Sequence, residues 1–355
     1  MSDSPGPPPA DALGDALAVL AQGGRLTEAQ VAAALTLLML GEASPARAAG
    51  LLMAMRVQGE TGVEVAGAAR ALRAVMRTVA APPGRVAIDT AGTGGGRVGT
   101  FNVSTAAAFI AAAAGATVAK HGNRSYTSRC GSADVLEALG MDLAVQADHA
   151  EPILRAVGMV FLFAPAFHPA MRFVAPVRRD LSVPTVMNLV GPLVNPAGVR
   201  HQVVGVADAG RGPVMADALA RLGAVHALVV HGDAGLDEIA PRGLTRVWEV
   251  RNGAIEEGTV DPSALGVTPV DLDQLRGGEP AENAARIERL FERPERDPAG
   301  RAAAVLNGAA ALYVAGVATS LGDGVERASA ALTGGGARAM LDALRRASAG
   351  ANSAE

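Results

Sequence analysis

A single cysteine, Cys130, stands in the 355 residues. That excludes an internal disulfide and fits a reducing compartment. No Cys-His signature surrounds it, so it reads as a small loop residue rather than a nucleophile. Aromatic residues make up only 3% of the chain, which leaves Ala, Val and Leu to pack the cores. Neither sign of charge dominates: 31 basic and 35 acidic residues give a net charge of -4. This argues against coating nucleic acid or anionic lipid as a main role. The longest apolar run, around Thr105 to Ala119, is too short and too alanine-rich to cross a membrane. The opening "MSDSPGPPPAD" lacks the basic and apolar regions of a signal peptide. Together these features imply a soluble, cytoplasmic protein with no nucleic-acid or membrane partner.

Half of the residues are hydrophobic, and the length exceeds one usual core, so two domains are expected. Residues 1–10 read as a flexible tail. Helices follow over 11–80. Thr27 with Gln30, and Thr61 with Glu64, are capping boxes, while Ser44 with Pro45 starts a helix that Gly59 stops. Leu51, Leu52, Met55 and Val57 should supply an apolar face to that helix. At "APPGRVAID" the pattern changes, with Val86 to Ile88 as a short buried strand. Further strands are expected at "ATVAK", "MVFLFA", "QVVGVA", "HALVVHG" and "RVWEVRNG". The predicted fold is α/β: a small all-helical domain plus a larger α/β domain with a mostly parallel central sheet and surrounding helices. The larger domain takes 81–167 and 196–346, about 168–195 rejoins the helical domain, and 347–355 is a tail.

The glycine-dense stretch "DTAGTGGGRVGTFNVST", Asp89 to Thr105, formally holds G-x-G-x-x-G at Gly94, Gly96 and Gly99. A strand, then glycines, then a helix start is anion-binding geometry, to which Asn102, Ser104 and Thr105 add donors. Simple helix capping is the bland alternative. A dinucleotide fold also wants an acidic residue at the second strand end. That position instead reads "VAKHGNRS", with Lys120, His121 and Arg124. The GKS or GKT ending of a P-loop is absent as well. Two neighbouring anion loops suit a highly anionic ligand such as a sugar diphosphate. Asp237 and Glu238 in "GLDEI" are adjacent carboxylates after an apolar strand, and burying them together requires cations.

The block from "GTGGGRVGTFNVST" through "KHGNRSYTSRCGSAD" resembles the anthranilate phosphoribosyltransferase family. The likeness continues through "FLFAPAFHPAMRFVAPVRRDL", "NLVGPLVNPA" and "GLDEI", covering most of residues 12 to 345. It implies transfer of a phosphoribosyl group from phosphoribosyl diphosphate (PRPP) to the amino group of anthranilate. It also implies Mg²⁺, two ions per subunit, a homodimer, and a fold shared with pyrimidine nucleoside phosphorylases. By motif position, Gly92, Gly95, Gly96, Thr100, Asn102, Val103, Ser104 and Thr105 should bind PRPP. So should Lys120, His121, Gly122, Asn123, Arg124, Ser125, Tyr126, Thr127, Ser128 and Ser132. Gly92, Asn123 and Arg178 should face anthranilate, with Arg179 as the competing arginine. Ser104, Asp237 and Glu238 are the implied metal ligands. His121 either packs on the aromatic ring or is structural, and no dedicated acid or base is expected.

Where the family usually has G-T-G-G-D-G, this chain has Gly96 and Arg97 in place of Asp and Gly. That should alter metal use or PRPP affinity more than reaction type. The rivals are a nucleoside phosphorylase-like enzyme, a non-catalytic nucleic-acid-binding relative and, weakest, an NADP-dependent oxidoreductase.

Overall fold

The computed structural model describes residues 11–96, 98–125, 129–144 and 147–351. Four helices open it: α1 (Ala12–Ala21), α2 (Glu28–Leu40), α3 (Pro45–Gln58) and α4 (Gly62–Val75). Their starts follow the side-chain chemistry of the sequence. Both capping boxes form, the Ser44 hydroxyl accepts from the Arg47 amide, and Gly59 ends α3 at φ 77°. Leu51, Leu52 and Met55 are fully buried, but Val57 is 79% exposed. It falls outside the arc of the other three, so α3 presents a narrower apolar face than the sequence suggested.

The rest of the chain alternates. In order come β1 (Ala87–Gly92), α5 (Val103–Ala113), β2 (Thr117–Gly122), α6 (Ser132–Ala138), α7 (Ala147–Val157) and β3 (Met159–Phe163). The short helices α8 (Ala164–Phe167), α9 (Ala175–Leu181) and α10 (Val186–Leu189) precede β4 (His201–Gly205). Then follow α11 (Gly212–Arg221), β5 (His226–Gly232), β6 (Thr245–Arg251), β7 (Ala254–Val260), α12 (Pro280–Glu292), α13 (Pro298–Val314), α14 (Leu321–Thr333) and α15 (Gly336–Ala351). Helix α15 runs past residue 346, and Ser348 is buried, its hydroxyl bonded to both backbone groups of Asp142. A tail from 347 is therefore corrected, since this turn is packed against the body.

The sheet has the order β3-β2-β1-β4-β5-β6-β7. Its first five strands are parallel; β6 and β7 add antiparallel. Strand β7 was not anticipated, because nearly every residue in it is exposed and no apolar alternation marks it. The strand expected at "RVWEVRNG" instead ends at Arg251, and Asn252 and Gly253 form the hairpin turn, with positive φ of 50° and 88°.

One face of the sheet packs on α5, α7 and α13, with α14 and α15 stacked on those helices. The other shares a continuous apolar cluster with α1–α4, α9–α11 and Trp248. Polar contacts also tie helical layer to sheet layer. Arg211 pairs with the buried Glu60 at 2.8 Å, and Arg70 donates to the Arg221 carbonyl at 2.9 Å.

Helix α2 lies close against α4. A Cβ on Gly67 would lie 2.5 Å from the Glu28 carbonyl oxygen and 2.8 Å from the Val31 Cβ. Gly67→Ala gains about 1 kcal/mol of helix propensity, but overpacking costs about 1–3 kcal/mol. We expect a lower urea midpoint at unchanged m-value; a raised midpoint would show that α2 moves aside freely.

Candidate active site

Strands β1 and β4 are neighbours whose crossovers run to opposite sides, so the sheet changes direction between them. In such sheets ligands settle beyond the carboxyl ends of the strands at that point. A cavity of about 1170 Å³ opens there. Five sequence-distant segments line it: the glycine loop after β1, the end of β2 with its following loop, the stretch from Ala164 to Val194, the acidic turn after β5, and a strap that runs into α12.

Gly94 and Gly95 take φ of 70° and 83°, a left-handed backbone that glycine adopts without penalty. Gly92, Gly95, Gly96, Thr100, Asn102 and Ser104 line the cavity. Val103 and Thr105 do not: both side chains are fully buried, and the Thr105 amide donates to the Asn102 carbonyl. Their part is to build the first turn of α5. Asn102 also departs from the simple reading. It has φ 67° and caps nothing; its amide nitrogen donates to the Cys130 carbonyl at 3.1 Å.

Lys120 is the chain's only lysine; all thirty other basic residues are arginine. Its side chain is 1% exposed, and Nζ donates to the Thr90 carbonyl at 2.5 Å and to the Ser104 hydroxyl at 3.5 Å. Burial pulls it down to about 8, opposed by the charges of Asp89 and Glu238. Asp89 is fully buried and pushed up to about 6 by burial, opposed first by Lys120. It accepts from the His121 amide and from Asn195, which also donates to the Ala119 carbonyl at 2.7 Å. A buried ammonium is thus fixed at the strand end by groups directly behind it.

His121 and His168 face each other, with Nε2 atoms 3.2 Å apart. Burial holds them at about 3 and about 4. At neutral pH this wall is uncharged, one imidazole donating and the other accepting. Beyond them, Gly122, Asn123, Arg124, Ser125 and Ser132 line the cavity. Arg124 is engaged with Asp134 at 3.1 Å and with Glu137 at 2.7 Å. Asp134 also accepts from the amides of Ser125 and Gly131, closing the loop on itself. Gly131 permits this, since a Cβ there would lie 2.3 Å from the Ser125 amide nitrogen. Tyr126, Thr127 and Ser128, like Arg97, lie outside the described residues. Arg178 lines the cavity, whereas Arg179 is exposed and does not.

The acidic turn is held from below. Asn307 on α13 accepts from the Ile239 amide and donates to its carbonyl, both at 3.0 Å. Glu238 accepts from the Thr100 hydroxyl at 2.8 Å, but its buried Oε2 has no hydrogen-bond partner. Burial raises the Asp237 carboxyl, with its own and the Gly94 amide opposing. Burial and then Asp237 hold Glu238 far above its ordinary range, opposed by Thr100 and Lys120. Two adjacent carboxylates, one with an unpartnered buried oxygen, beside a hydroxyl and an open cavity, fit a hard divalent cation that takes its other oxygens from substrate and water. Among the described residues no three acidic, His or Cys side chains converge on one cation. A Cβ at Gly96 would sit 2.9 Å from Asp237 Oδ1. The family's aspartate there would bring a further carboxylate against this pair.

Sequence reading missed the strap of Arg276, Gly277, Gly278 and Asn283, and His168 opposite His121. The glycine pair before the proline-started α12 was a visible turn signal. Its pairing with the glycine loop, through Gly277 to the Gly99 carbonyl at 2.8 Å, is a long-range contact with no local signature.

This two-part architecture is that of the glycosyl transferases with a helical bundle and an a/b domain. Residues 14–76 match the family's helical bundle domain and residues 84–338 its a/b domain. The chain belongs to the anthranilate phosphoribosyltransferase family. It is 48% identical to the anthranilate phosphoribosyltransferase of Anaeromyxobacter dehalogenans, over 93% of this chain and 96% of that one. The crystal structure of the Thermus thermophilus anthranilate phosphoribosyltransferase superposes with a TM-score of 0.88 at 44% identity, covering 94% of this chain and 99% of that one. The Saccharomyces cerevisiae enzyme in complex with PRPP and Mg has a TM-score of 0.86 at 26% identity, covering 96% and 99%.

The raised carboxyl of Glu238 has a consequence for stability. Its folded pKa lies above the ordinary 4.5, so its contribution is complete below that value and is lost as pH rises through the folded one. Ligand-free protein should therefore lose stability between about pH 5 and about pH 8. Glu238→Gln should raise the melting temperature by several degrees at the upper pH and leave the lower nearly unchanged. Equal shifts at both would show that Glu238 is not the source.

Proposed function

We propose that the chain transfers the 5-phosphoribosyl group of PRPP to the amino group of anthranilate, releasing diphosphate and giving N-(5-phosphoribosyl)anthranilate for tryptophan biosynthesis. The observation that carries this is near full-length identity of 48% to an enzyme of that name. The buried Lys120, the anion loop and the carboxylate pair line one cavity, as the reaction requires.

PRPP lies with its phosphates against the glycine loop, the first turn of α5 and Lys120, where backbone N–H groups and one ammonium favour negative charge. Ser104, Asp237 and Glu238 would hold Mg²⁺, as two ions per subunit. When bound, Mg²⁺ neutralises diphosphate charge. Arg178 pairs its planar guanidinium with the anthranilate carboxylate, and Asn123 and Gly92 complete that subsite. The amine nitrogen is thereby aligned with C1 of the ribose. The C1–O bond to diphosphate breaks, the C1–N bond forms, and the nitrogen loses one proton. A protonated N-alkyl arylamine is far more acidic than an alkylammonium, so neutral groups such as the His121–His168 pair or water suffice, and no dedicated base is needed. Approach of the helical layer to the sheet layer excludes water and limits PRPP hydrolysis.

The protein works in the cytoplasm as a homodimer. Leu40, Val57, Phe173 and Val183 are exposed on the helical layer and supply apolar surface for a second copy. No helix among the described residues is long and apolar enough to cross a membrane.

Loss of anthranilate fluorescence on mixing protein, PRPP and Mg²⁺ tests the activity, and PRPP that binds but is not consumed would overturn it. Arg178→Ala should raise the apparent KM for anthranilate by about 10- to 100-fold, the loss of a charged hydrogen-bonded pair. PRPP binding should change little. A collapse of PRPP binding would remove Arg178 from the anthranilate subsite.

A further inference from the structure

We propose that Asn283 is a positioning residue of the anion loop, holding Asn102 in the left-handed conformation that aims the first turn of α5 into the cavity. Helix starts ordinarily use an extended residue whose side chain accepts from the first-turn amides. Asn102 does neither: it has φ 67° and ψ 48°, and its side chain makes no cap bond. The N-terminus of α5 is thereby left uncapped on the cavity side, as an anion site requires.

What holds Asn102 is a chain of three hydrogen bonds between distant segments. The Gly278 amide donates to Asn283 Oδ1 at 2.8 Å, Asn283 Nδ2 donates to Asn102 Oδ1 at 2.9 Å, and Asn102 Nδ2 donates to the Cys130 carbonyl at 3.1 Å. A backbone amide can only donate and a carbonyl only accept, so both ends fix the orientation of both side-chain amides. Asn283 is 2% exposed, sits in the first turn of α12, and lies 181 positions from Asn102. Its strap is itself fastened to the glycine loop, by the Phe101 amide on the Leu275 carbonyl at 3.1 Å and the Gly277 amide on the Gly99 carbonyl at 2.8 Å. One buried side chain therefore joins the strap, the glycine loop and the loop after β2. The inference rests on PRPP as the occupant of that loop.

Asn283→Asp keeps the acceptor for Gly278 and the volume, but sets an oxygen against Asn102 Oδ1. It should raise KM for PRPP about tenfold, the worth of one hydrogen bond, with KM for anthranilate within about twofold. Asn102→Gly takes the left-handed conformation without side-chain support. If Asn283 acts through Asn102, Asn102→Gly combined with Asn283→Asp is no worse than the poorer single variant. Multiplied defects, or an unchanged KM for PRPP in Asn283→Asp, would overturn the proposal. Amide hydrogen exchange of residues 99–105 without substrate gives a readout independent of the ligand's identity. Faster exchange in Asn283→Asp is expected, and unchanged exchange would overturn the clamp. Failure of the wild type to bind PRPP would instead overturn the assignment of the occupant and leave the exchange result standing.

Discussion

The buried ammonium of Lys120 is the constraint around which the site is arranged. Moving a charge out of water is costly unless its surroundings replace the lost solvation. Here the replacement comes from the Thr90 carbonyl, the Ser104 hydroxyl and the fields of Asp89 and Glu238. Those partners come from three segments, so satisfying one cation on β2 brings together β1 (Asp89 and Thr90), the first turn of α5 and the turn after β5. The chain uses arginine at every other basic position. A compact ammonium fits a pocket floored by backbone, where a planar five-donor guanidinium does not.

Carboxylates obey the same logic from the opposite side. Asp237 and Glu238 sit in one tight turn pinned by Asn307; burial raises both carboxyls, and the charge of Asp237 raises Glu238 further. A bound cation or a proton relieves this cost, which ties ligand binding to the electrostatics of the ligand-free fold. Gly96 gives that pair room. With no side chain at that position, Asp237 faces backbone rather than a third carboxylate. Three buried asparagines then fix loops in place: Asn195 ties the segment before β4 to β1 and β2, Asn283 ties the strap to Asn102, and Asn307 ties the acidic turn to α13. Amides suit this work because each offers donor and acceptor at once without adding charge.

Much of this was legible in the sequence, and unevenly so. Helix starts at Thr27, Ser44 and Thr61 follow local capping chemistry, and β5 is a continuous apolar run bounded by polar residues. Strand β1 was placed too short, because Asp89 to Gly92 read as loop when they pair with β4. Polar and glycine residues at the carboxyl ends of parallel strands carry the site, so the strand signal fades where function begins. Among site residues, Lys120 and the glycine loop were found by position after a strand. His168 and Asn283 were not, for each acquires its role from a residue far away in the chain. Val103 and Thr105 show the converse: inclusion in a motif does not make a side chain face the ligand.

Calorimetric titration of PRPP with Mg²⁺ into Lys120→Met and Lys120→Arg tests the central claim most directly. The account predicts that both lose at least about 30-fold in affinity, roughly 2 kcal/mol for one charged hydrogen-bonding group. It predicts that arginine does not rescue, because the pocket is shaped for an ammonium. Wild-type affinity in the methionine variant would contradict the claim that this buried charge organises the site.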